Sequence, residues 1–150
     1  MMPLIVLLTA FFLCLLILRW IRHQFLYALA GRIAMSAMLV FTAVGHFAFT
    51  EGMAMMLPPF IPYKTEVVYL TGLIEMAAAV GLIIPRLRSL TAWLLIAFFM
   101  LVLPANIYAA LQHVDYQNAT FDGQGPGYLW FRIPLQLFFI IWVYLSAIRK

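Results

Sequence analysis

Five long apolar runs, separated by short polar segments, constrain what this chain can fold into more than any other feature. The runs cover residues 2–18, 25–50, 67–84, 90–111 and 128–147. Because a helix rises about 1.5 Å per residue, runs of roughly 20 residues can cross the hydrocarbon core of a bilayer. The chain is 67% hydrophobic and only 9% charged, whereas soluble domains carry about 25% charged residues. Its surface is therefore expected to face lipid.

The apolar runs predict helices rather than strands. They contain no sustained alternation of apolar and polar residues, which the strands of a membrane barrel would require. A helix also satisfies its backbone hydrogen bonds internally, as hydrocarbon demands. We therefore expect an all-α, polytopic membrane helix bundle with five spans. The run 2–18 lacks a basic start and a small-residue exit site, so a retained helix is favoured over a cleaved leader.

Charged residues lie mainly between the runs, and their sign differs from one side of the membrane to the other. With five spans, one side receives Arg19, Arg22, Arg32, Arg86, Arg88, Arg149 and Lys150. The other side receives Lys64 and the four loop acids, Glu51, Glu66, Asp115 and Asp122. The positive-inside rule then predicts an outside N-terminus and a cytoplasmic C-terminus. These charges form no basic stripe, so we expect the lipid bilayer, and no nucleic acid, as their partner.

Glu75 is the most informative polar residue within the runs. It lies about halfway along the third run and therefore near the middle of the membrane. An unpartnered carboxylate at that depth would be protonated or would need a cation, because charge is costly in hydrocarbon. One interpretation is an acid that handles a proton or binds a ligand. The other is a structural ion pair or hydrogen bond between helices.

Four further polar residues, His46, Asn106, Arg132 and Gln136, lie at compatible depths in the outer half of their runs. If the helices form a bundle, these side chains and Glu75 converge on one outward-opening pocket, the candidate ligand-binding site. Each also has a structural interpretation. His46 would cap a helix end, Arg132 would extend to the outer phosphates, and the two amides would bridge helices for about 1 kcal/mol each or less.

Cysteine and histidine usage argues against metal or thiol chemistry. Cys14 is the single cysteine, so neither an intramolecular disulfide nor a CxxC pair is available. His23, His46 and His113 fall far apart in the five-span topology, and we expect no metal site. No nucleophile lies beside an obvious base, so the sequence assigns no catalytic residue.

Several short motifs resemble one known family. They are residues 45–47 (GHF), Pro58-Pro59 with Pro62, residues 69–75 (YLTGLIE), 103–107 (LPANI) and 132–136 (RIPLQ). In this order, over about residues 28–147, they resemble the DoxX-like family of small bacterial integral membrane proteins. The resemblance implies a four-helix membrane domain, here residues 25–150. An additional N-terminal transmembrane helix and a basic cytoplasmic turn would occupy residues 1–24.

The same resemblance implies the bacterial cytoplasmic (inner) membrane and suggests a redox association, because the family name traces to a subunit of a thiosulfate:quinone oxidoreductase. It transfers no catalytic mechanism. We therefore expect an accessory subunit that docks a redox enzyme, or a binder of a quinone or similar lipophilic small molecule, with a homodimer as a further partner arrangement. An alternative is a membrane-embedded enzyme that uses Glu75 and His46 for proton transfer. A small transporter is the second alternative, disfavoured because the chain lacks inverted repeats.

Overall fold

The computed structural model describes residues 2–149, which are mostly helical and contain no strand. The helices are α1 (Met2–Arg22), α2 (Tyr27–Ala48), α3 (Thr50–Met55), α4 (Lys64–Ile83), α5 (Arg88–Leu111) and α6 (Leu129–Val143). A 3₁₀ turn, Gly125–Tyr128, leads into α6, and a π-helical turn, Tyr144–Ile148, continues it. Met1, the first residue of the expected N-terminal unit, and Lys150, counted with the basic residues, lie outside the described part.

Five helical segments are long and apolar enough to cross a membrane. They are α1, α2, α4, α5 and the continuous segment Gly125–Ile148 that contains α6. A helix satisfies most of its backbone groups internally, as a spanning element must, although Pro104 and Pro134 each remove one donor. The prediction of an all-α bundle with five spans is confirmed, and the chain is a multi-pass membrane protein.

The end of the second run differs from the prediction. The expected helix to residue 50 stops at Ala48, and the expected loop 51–66 contains α3 and the first residues of α4. The break is local, since Met53 N–H bonds back to the Phe49 carbonyl and restarts the helix at once. Pro58 and Pro59 then prevent its continuation, because proline lacks a backbone N–H and disfavours helix in the residue before it.

Helix α2 lies at the centre of the bundle and packs against α1, α4 and the end of α6. Met35, Met38 and Leu39 of α2 are essentially fully buried, and they form the core with side chains of every other spanning helix. Helix α1 differs, because it buries only Leu7 and Leu15 and leaves its other apolar side chains partly or largely exposed. A surface of that kind suits lipid contact.

Specific polar contacts fix the register of the helices. The Ser36 hydroxyl of α2 donates to the Ala79 carbonyl of α4 at 2.8 Å, and Trp142 Nε1 of α6 donates to the Gly31 carbonyl of α2 at 3.0 Å. No water competes for such groups in hydrocarbon, so each bond holds its pair of helices at one level.

Consecutive spans run antiparallel, so their ends gather at two opposite faces of the bundle. We call one face the basic end. It carries Arg19, Arg22, Arg32, Arg86, Arg88 and Arg149. The opposite face, the acidic end, carries Lys64 with Glu51, Glu66, Asp115 and Asp122. Glu75 alone among the acids lies within the bundle, in the middle of α4.

Candidate functional site

Helices α2 and α4 bring His46 and Glu75 together in the half of the bundle nearer the acidic end. His46 Nδ1 lies 3.4 Å from Glu75 Oε2. Gly72 permits this approach, because a Cβ built on Gly72 would lie only 2.9 Å from the Cβ of His46. Glu75 is buried, with 7% of its surface exposed, whereas His46 is partly exposed. A small residue one turn before the acid therefore sets the distance between the two side chains.

The His46–Glu75 contact is an approach by distance rather than a completed hydrogen bond. His46 Nδ1 points at the Thr42 carbonyl, 2.9 Å away, and a carbonyl only accepts, so the ring proton sits on Nδ1 and is directed there. Glu75 Oε2 is buried and has no hydrogen-bond partner. We therefore describe the pair as neighbours with one carboxylate oxygen left free. An unmet buried acceptor is rare in folded proteins and calls for a physical explanation.

Helices α5 and α6 bring together a second pair, Asn106 and Arg132. Arg132 Nη2 donates to Asn106 Oδ1 at 3.2 Å. Because a guanidinium can only donate, this bond fixes the amide with its oxygen toward Arg132. Asn106 Nδ2 is then directed elsewhere, and it is buried without a partner. The second pair therefore leaves a free donor, as the first leaves a free acceptor.

The two pairs belong to one cluster. The charge of Arg132 acts on the Glu75 carboxyl group. Thr42 lies near the same group, but its hydroxyl donates to the Met38 and Leu39 carbonyls of α2. Gln136 takes a different position. Its Nε2 donates to the Phe99 carbonyl at 2.7 Å, so this amide bridges α6 and α5. Of the five candidate residues, four gather with unmet hydrogen-bonding capacity among them, and Gln136 acts as a helix bridge beside them.

The aromatic residues near the cluster divide into two groups. Phe47 and Tyr69 stack with ring centroids 5.6 Å apart, and a Cβ on Gly72 would lie 3.4 Å from the Phe47 ring. Trp130 differs, because 88% of its surface is exposed. An exposed tryptophan at a helix end is typical of the membrane interface rather than of a ligand site.

A cap formed by α3 and the loop between α5 and α6 reaches the cluster from the acidic end. Gly52 of α3 packs directly on the backbone of Tyr116, and the Phe49 ring meets the Tyr116 ring edge-on at 6.0 Å. Burial raises the pKa of the Tyr116 hydroxyl, and the charge of Arg132 acts on the same group. The loop itself is held by Asp115, whose pKa is lowered by hydrogen bonds from Asn118 and Gln117.

The cluster is closed in this structure, in contrast to the expected outward-opening pocket. Its free atoms, Glu75 Oε2 and Asn106 Nδ2, have almost no exposure. Two clefts lie on the apolar flanks of α4 instead. One, of about 290 Å³, lies beside Ser36 and Ala79, and the other, of about 210 Å³, lies beside Thr91. A ligand head would therefore reach the cluster only if side chains at the acidic end moved aside.

Two residues of the site were not selected from the sequence. Thr42 precedes His46 by one helical turn and so lies on the same face of α2, a relation that the sequence already contained. Gly72 lies three residues before Glu75 and on the same face of α4. The available signal was the spacing, because each of the two residues lies three or four positions before a candidate polar residue of the same helix.

The cluster can offer a polar ligand one acceptor, one neutral donor, a guanidinium and an imidazole. Within residues 2–149, no group of three or more His, Cys, Asp or Glu side chains is placed to hold a metal ion. A family model described as "Domain of unknown function (DUF8561)" matches residues 35–147. The chain belongs to the DUF8561 family. No curated protein and no solved structure matches it.

The part of the chain that matches the DUF8561 family contains the whole cluster. Residues 35–147 run from the third turn of α2 almost to the end of the last span, and they include all five candidate residues. Helix α1 lies outside the matched segment. The family match thus covers the four spans that build the cluster. Helix α1 packs against one of them, α2.

Proposed function

We propose that this protein binds a lipophilic small molecule with a polar, quinone-like head in the His46–Glu75–Asn106–Arg132 cluster, as an accessory to membrane redox chemistry. The observation that carries the proposal is the pair of unmet buried atoms, Glu75 Oε2 and Asn106 Nδ2. They come from different helices and differ in hydrogen-bonding role. A ligand that both donates and accepts would satisfy both.

The chemistry of a quinone and its reduced form matches these two roles. A quinone carbonyl would accept from Asn106 Nδ2 and from Arg132, and a hydroquinone hydroxyl would donate to Glu75. An unmet buried polar group costs about 1–3 kcal/mol, and a bound head group that met both atoms would recover that energy. The hydrocarbon tail would lie among apolar helix faces, as ligand sites generally require.

The resemblance of the polar motifs to the DoxX-like family supports the redox association and the bacterial inner membrane as location. The charge distribution supports an outside N-terminus and a cytoplasmic C-terminus, because the basic end would then face the cytoplasm. In that orientation the closed cluster would lie in the half of the membrane that belongs to the outer leaflet. A ligand would enter past His46 and Arg132, the two cluster residues that are partly exposed.

The decisive experiment compares Glu75→Leu with Glu66→Leu, the same change on the same helix at an exposed acid. Wild-type protein is extracted gently from its own membranes and weighed by native mass spectrometry, and decylubiquinone is then titrated onto protein in detergent. We expect a bound small molecule in wild type and Glu66→Leu, and none in Glu75→Leu. Loss of one charge-assisted contact should weaken decylubiquinone binding by roughly tenfold or more.

Binding of decylubiquinone with equal affinity to all three proteins would contradict the proposed site. A protein subunit that remains bound after extraction, without any small molecule, would instead favour an accessory subunit that docks a redox enzyme. That outcome would leave the cluster without a ligand-binding role.

A second function, an enzyme that transfers a proton within the membrane, is favoured by the 3.4 Å approach of His46 Nδ1 to Glu75 Oε2. Both groups would then meet one ligand atom, as general acid–base catalysis requires. Glu75→Gln separates the two functions, because glutamine keeps an acceptor oxygen but cannot exchange a proton. In Glu75→Gln, a simple binder and an enzyme should both keep the ligand. Only an enzyme would also lose the rate at which wild type converts that ligand.

A further inference from the structure

Helices α5 and α6 each contain one proline in their interior, Pro104 and Pro134. Proline has no backbone N–H to donate to the carbonyl four residues earlier, here that of Met100 and of Trp130. Each helix therefore lacks one bond of its backbone ladder at this position. Long helices bend where such a bond is missing.

The two weakened positions lie at the same level of the bundle. The hydrogen bond from Arg132 to Asn106, 3.2 Å long, aligns α6 with α5. Pro104 lies two residues before Asn106, and Pro134 lies two residues after Arg132. Because α5 and α6 run antiparallel, both steps lead away from the acidic end, by about 3 Å along each helix. The two prolines therefore define one plane across the α5–α6 hairpin.

That plane separates two parts of the hairpin that are anchored differently. We call residues 104–134 the hairpin tip, which consists of the outer ends of both helices and the loop that joins them. Within residues 2–149, the buried residues of the main core end at Phe99 in α5 and resume at Leu135 in α6, and of the tip only the partly buried Phe131 packs against them. On the core side of the plane, Gln136 Nε2 donates to the Phe99 carbonyl. Units with few buried apolar contacts open at a low cost in free energy.

The hairpin tip carries half of the His46–Glu75–Asn106–Arg132 cluster. Asn106 and Arg132 belong to the tip and are bonded to each other, so they would move together. His46 and Glu75 belong to α2 and α4, outside the tip. Within residues 2–149, no hydrogen bond joins one half of the cluster to the other. Outward movement of the tip would therefore uncover Glu75 Oε2 and Asn106 Nδ2, which are enclosed in this structure.

Tyr116 holds the hairpin tip against α3 at the acidic end. Its ring meets the Phe49 ring edge-on with centroids 6.0 Å apart, and its backbone packs so closely on Gly52 that a Cβ there would overlap it. Phe49 and Gly52 lie outside the tip, at the start of α3 and within it. A single aromatic pair of this kind is weak enough to break and re-form.

We propose that the hairpin tip is a lid that swings about Pro104 and Pro134 and opens the closed cluster, with the contact of Tyr116 on α3 as its latch. The inference rests on the proposed function only for what enters, a quinone-like head group. The movement itself belongs to the ligand-free protein, and hinge movements of this kind take microseconds to milliseconds. A lid explains how a ligand reaches polar atoms that have almost no exposure.

Distances between spin labels, measured by electron paramagnetic resonance in a Cys14→Ser background without ligand, test the movement. One labelled pair, Leu70→Cys with Trp130→Cys, joins an exposed position of α4 to an exposed position of the tip. The matched pair, Leu70→Cys with Leu137→Cys, joins α4 to an exposed position of α6 on the core side of Pro134. We expect a closed and an open distance for the tip pair and a single distance for the matched pair.

Removal of the hinge should close the lid. The double variant Pro104→Ala/Pro134→Ala restores both backbone bonds, so the population at the open tip distance should fall several-fold. Pro85→Ala, in the turn between α4 and α5, is the matched control and should leave the tip distances unchanged.

Removal of the latch should have the opposite effect. Gly52→Ala forces the Tyr116 backbone away from α3, so the open population should rise several-fold. Gly127→Ala is its control, because a Cβ there meets nothing within 4 Å. If the double proline variant does not fold, Gly52→Ala tests the lid by itself. Tip distances that Gly52→Ala leaves as they are in wild type overturn the lid.

The rates of decylubiquinone binding connect the lid with the proposed function. If the ligand passes only through the open lid, the double proline variant should slow association and dissociation several-fold and leave the equilibrium affinity nearly unchanged. Unchanged rates, together with altered tip distances, would overturn the role of the lid in ligand entry. A lack of decylubiquinone binding in wild type and every variant, with tip distances that still respond, would contradict the proposed function and support the lid movement.

Discussion

Helices α2 and α4 meet at two levels, and the two levels treat their polar groups differently. Toward the basic end, the Ser36 hydroxyl donates to the Ala79 carbonyl at 2.8 Å, and both groups are satisfied. Toward the acidic end, His46 Nδ1 approaches Glu75 Oε2 at 3.4 Å, yet that oxygen has no hydrogen-bond partner. Both levels are buried and both use small residues of α4 for close approach.

The difference separates a polar group that holds two helices together from one that has no hydrogen-bond partner within the bundle. A satisfied hydroxyl in hydrocarbon stabilises the bundle modestly and needs no further partner. An unmet buried carboxylate oxygen lowers stability, and such groups persist where function requires them. The contrast makes different predictions about stability at the two levels, because removal of the two kinds of group should change the free energy of unfolding in opposite directions.

The largest effect should come from packing at the level nearer the basic end. Gly81→Leu would drive a side chain into Thr91 where α4 meets α5, because even a Cβ on Gly81 overlaps that side chain. Overpacking of this kind costs about 1–3 kcal/mol, so the free energy of unfolding should fall by that amount. Thermal unfolding in detergent, followed by size-exclusion chromatography, measures the loss.

Gly127→Leu is the matched control, because a Cβ built on Gly127 meets nothing within 4 Å. Its unfolding midpoint should stay near that of wild type. Equal midpoints for Gly81→Leu and wild type would mean that the α4–α5 contact tolerates expansion.

A smaller effect, of opposite sign, is expected at the level nearer the acidic end. Glu75→Leu replaces an acceptor that lacks a partner with an apolar side chain of similar volume, in a buried position. Because the unmet oxygen costs about 1–3 kcal/mol, the ligand-free protein should gain roughly 1 kcal/mol in its free energy of unfolding. Unfolding of protein stripped of small molecules measures the gain.

Glu66→Leu, an exposed change on the same helix, controls for general effects of losing an acid. It should leave stability almost unchanged. A clear loss of stability in Glu75→Leu alone would show that the carboxylate holds the bundle together. That result would support a structural role for the His46–Glu75 pair rather than a ligand site.

Sequence reasoning predicted the spans and the depth of the polar residues, since both depend on quantities the sequence contains. Run length against the helical rise gives the five spans, and position within a run gives the level of Glu75 and His46. The rotation of each helix about its axis depends on which neighbours it packs against. That is why the Phe99 carbonyl as the partner of Gln136 was not predictable.

The break between α2 and α3 was the other feature that the sequence did not predict. Helix α3 depends on a backbone bond from Met53 to Phe49 and on packing of Gly52 against Tyr116, a contact between segments far apart in the chain. Hydropathy alone carries no record of that contact. The DoxX-like resemblance, the orientation of the termini and the nature of the ligand stay predictions, because they concern partners and surroundings rather than the fold of this chain.

The smallest expected change in stability, that of Ser36→Ala, separates the two levels of the α2–α4 contact most clearly. Ser36→Ala removes the donor of the Ser36–Ala79 bond and leaves the backbone carbonyl of Ala79 in its own helix. Hydrogen bonds between membrane helices are worth about 0.6 kcal/mol on average, so stability should fall by roughly that amount while ligand binding stays unchanged. The change is small in volume, which keeps the cavity term low. Unfolding and decylubiquinone titration on one preparation measure both quantities. If Ser36→Ala weakened ligand binding as much as Glu75→Leu does, the two levels of the α2–α4 contact would form one coupled unit, and the separation of structural from functional polar groups would fail.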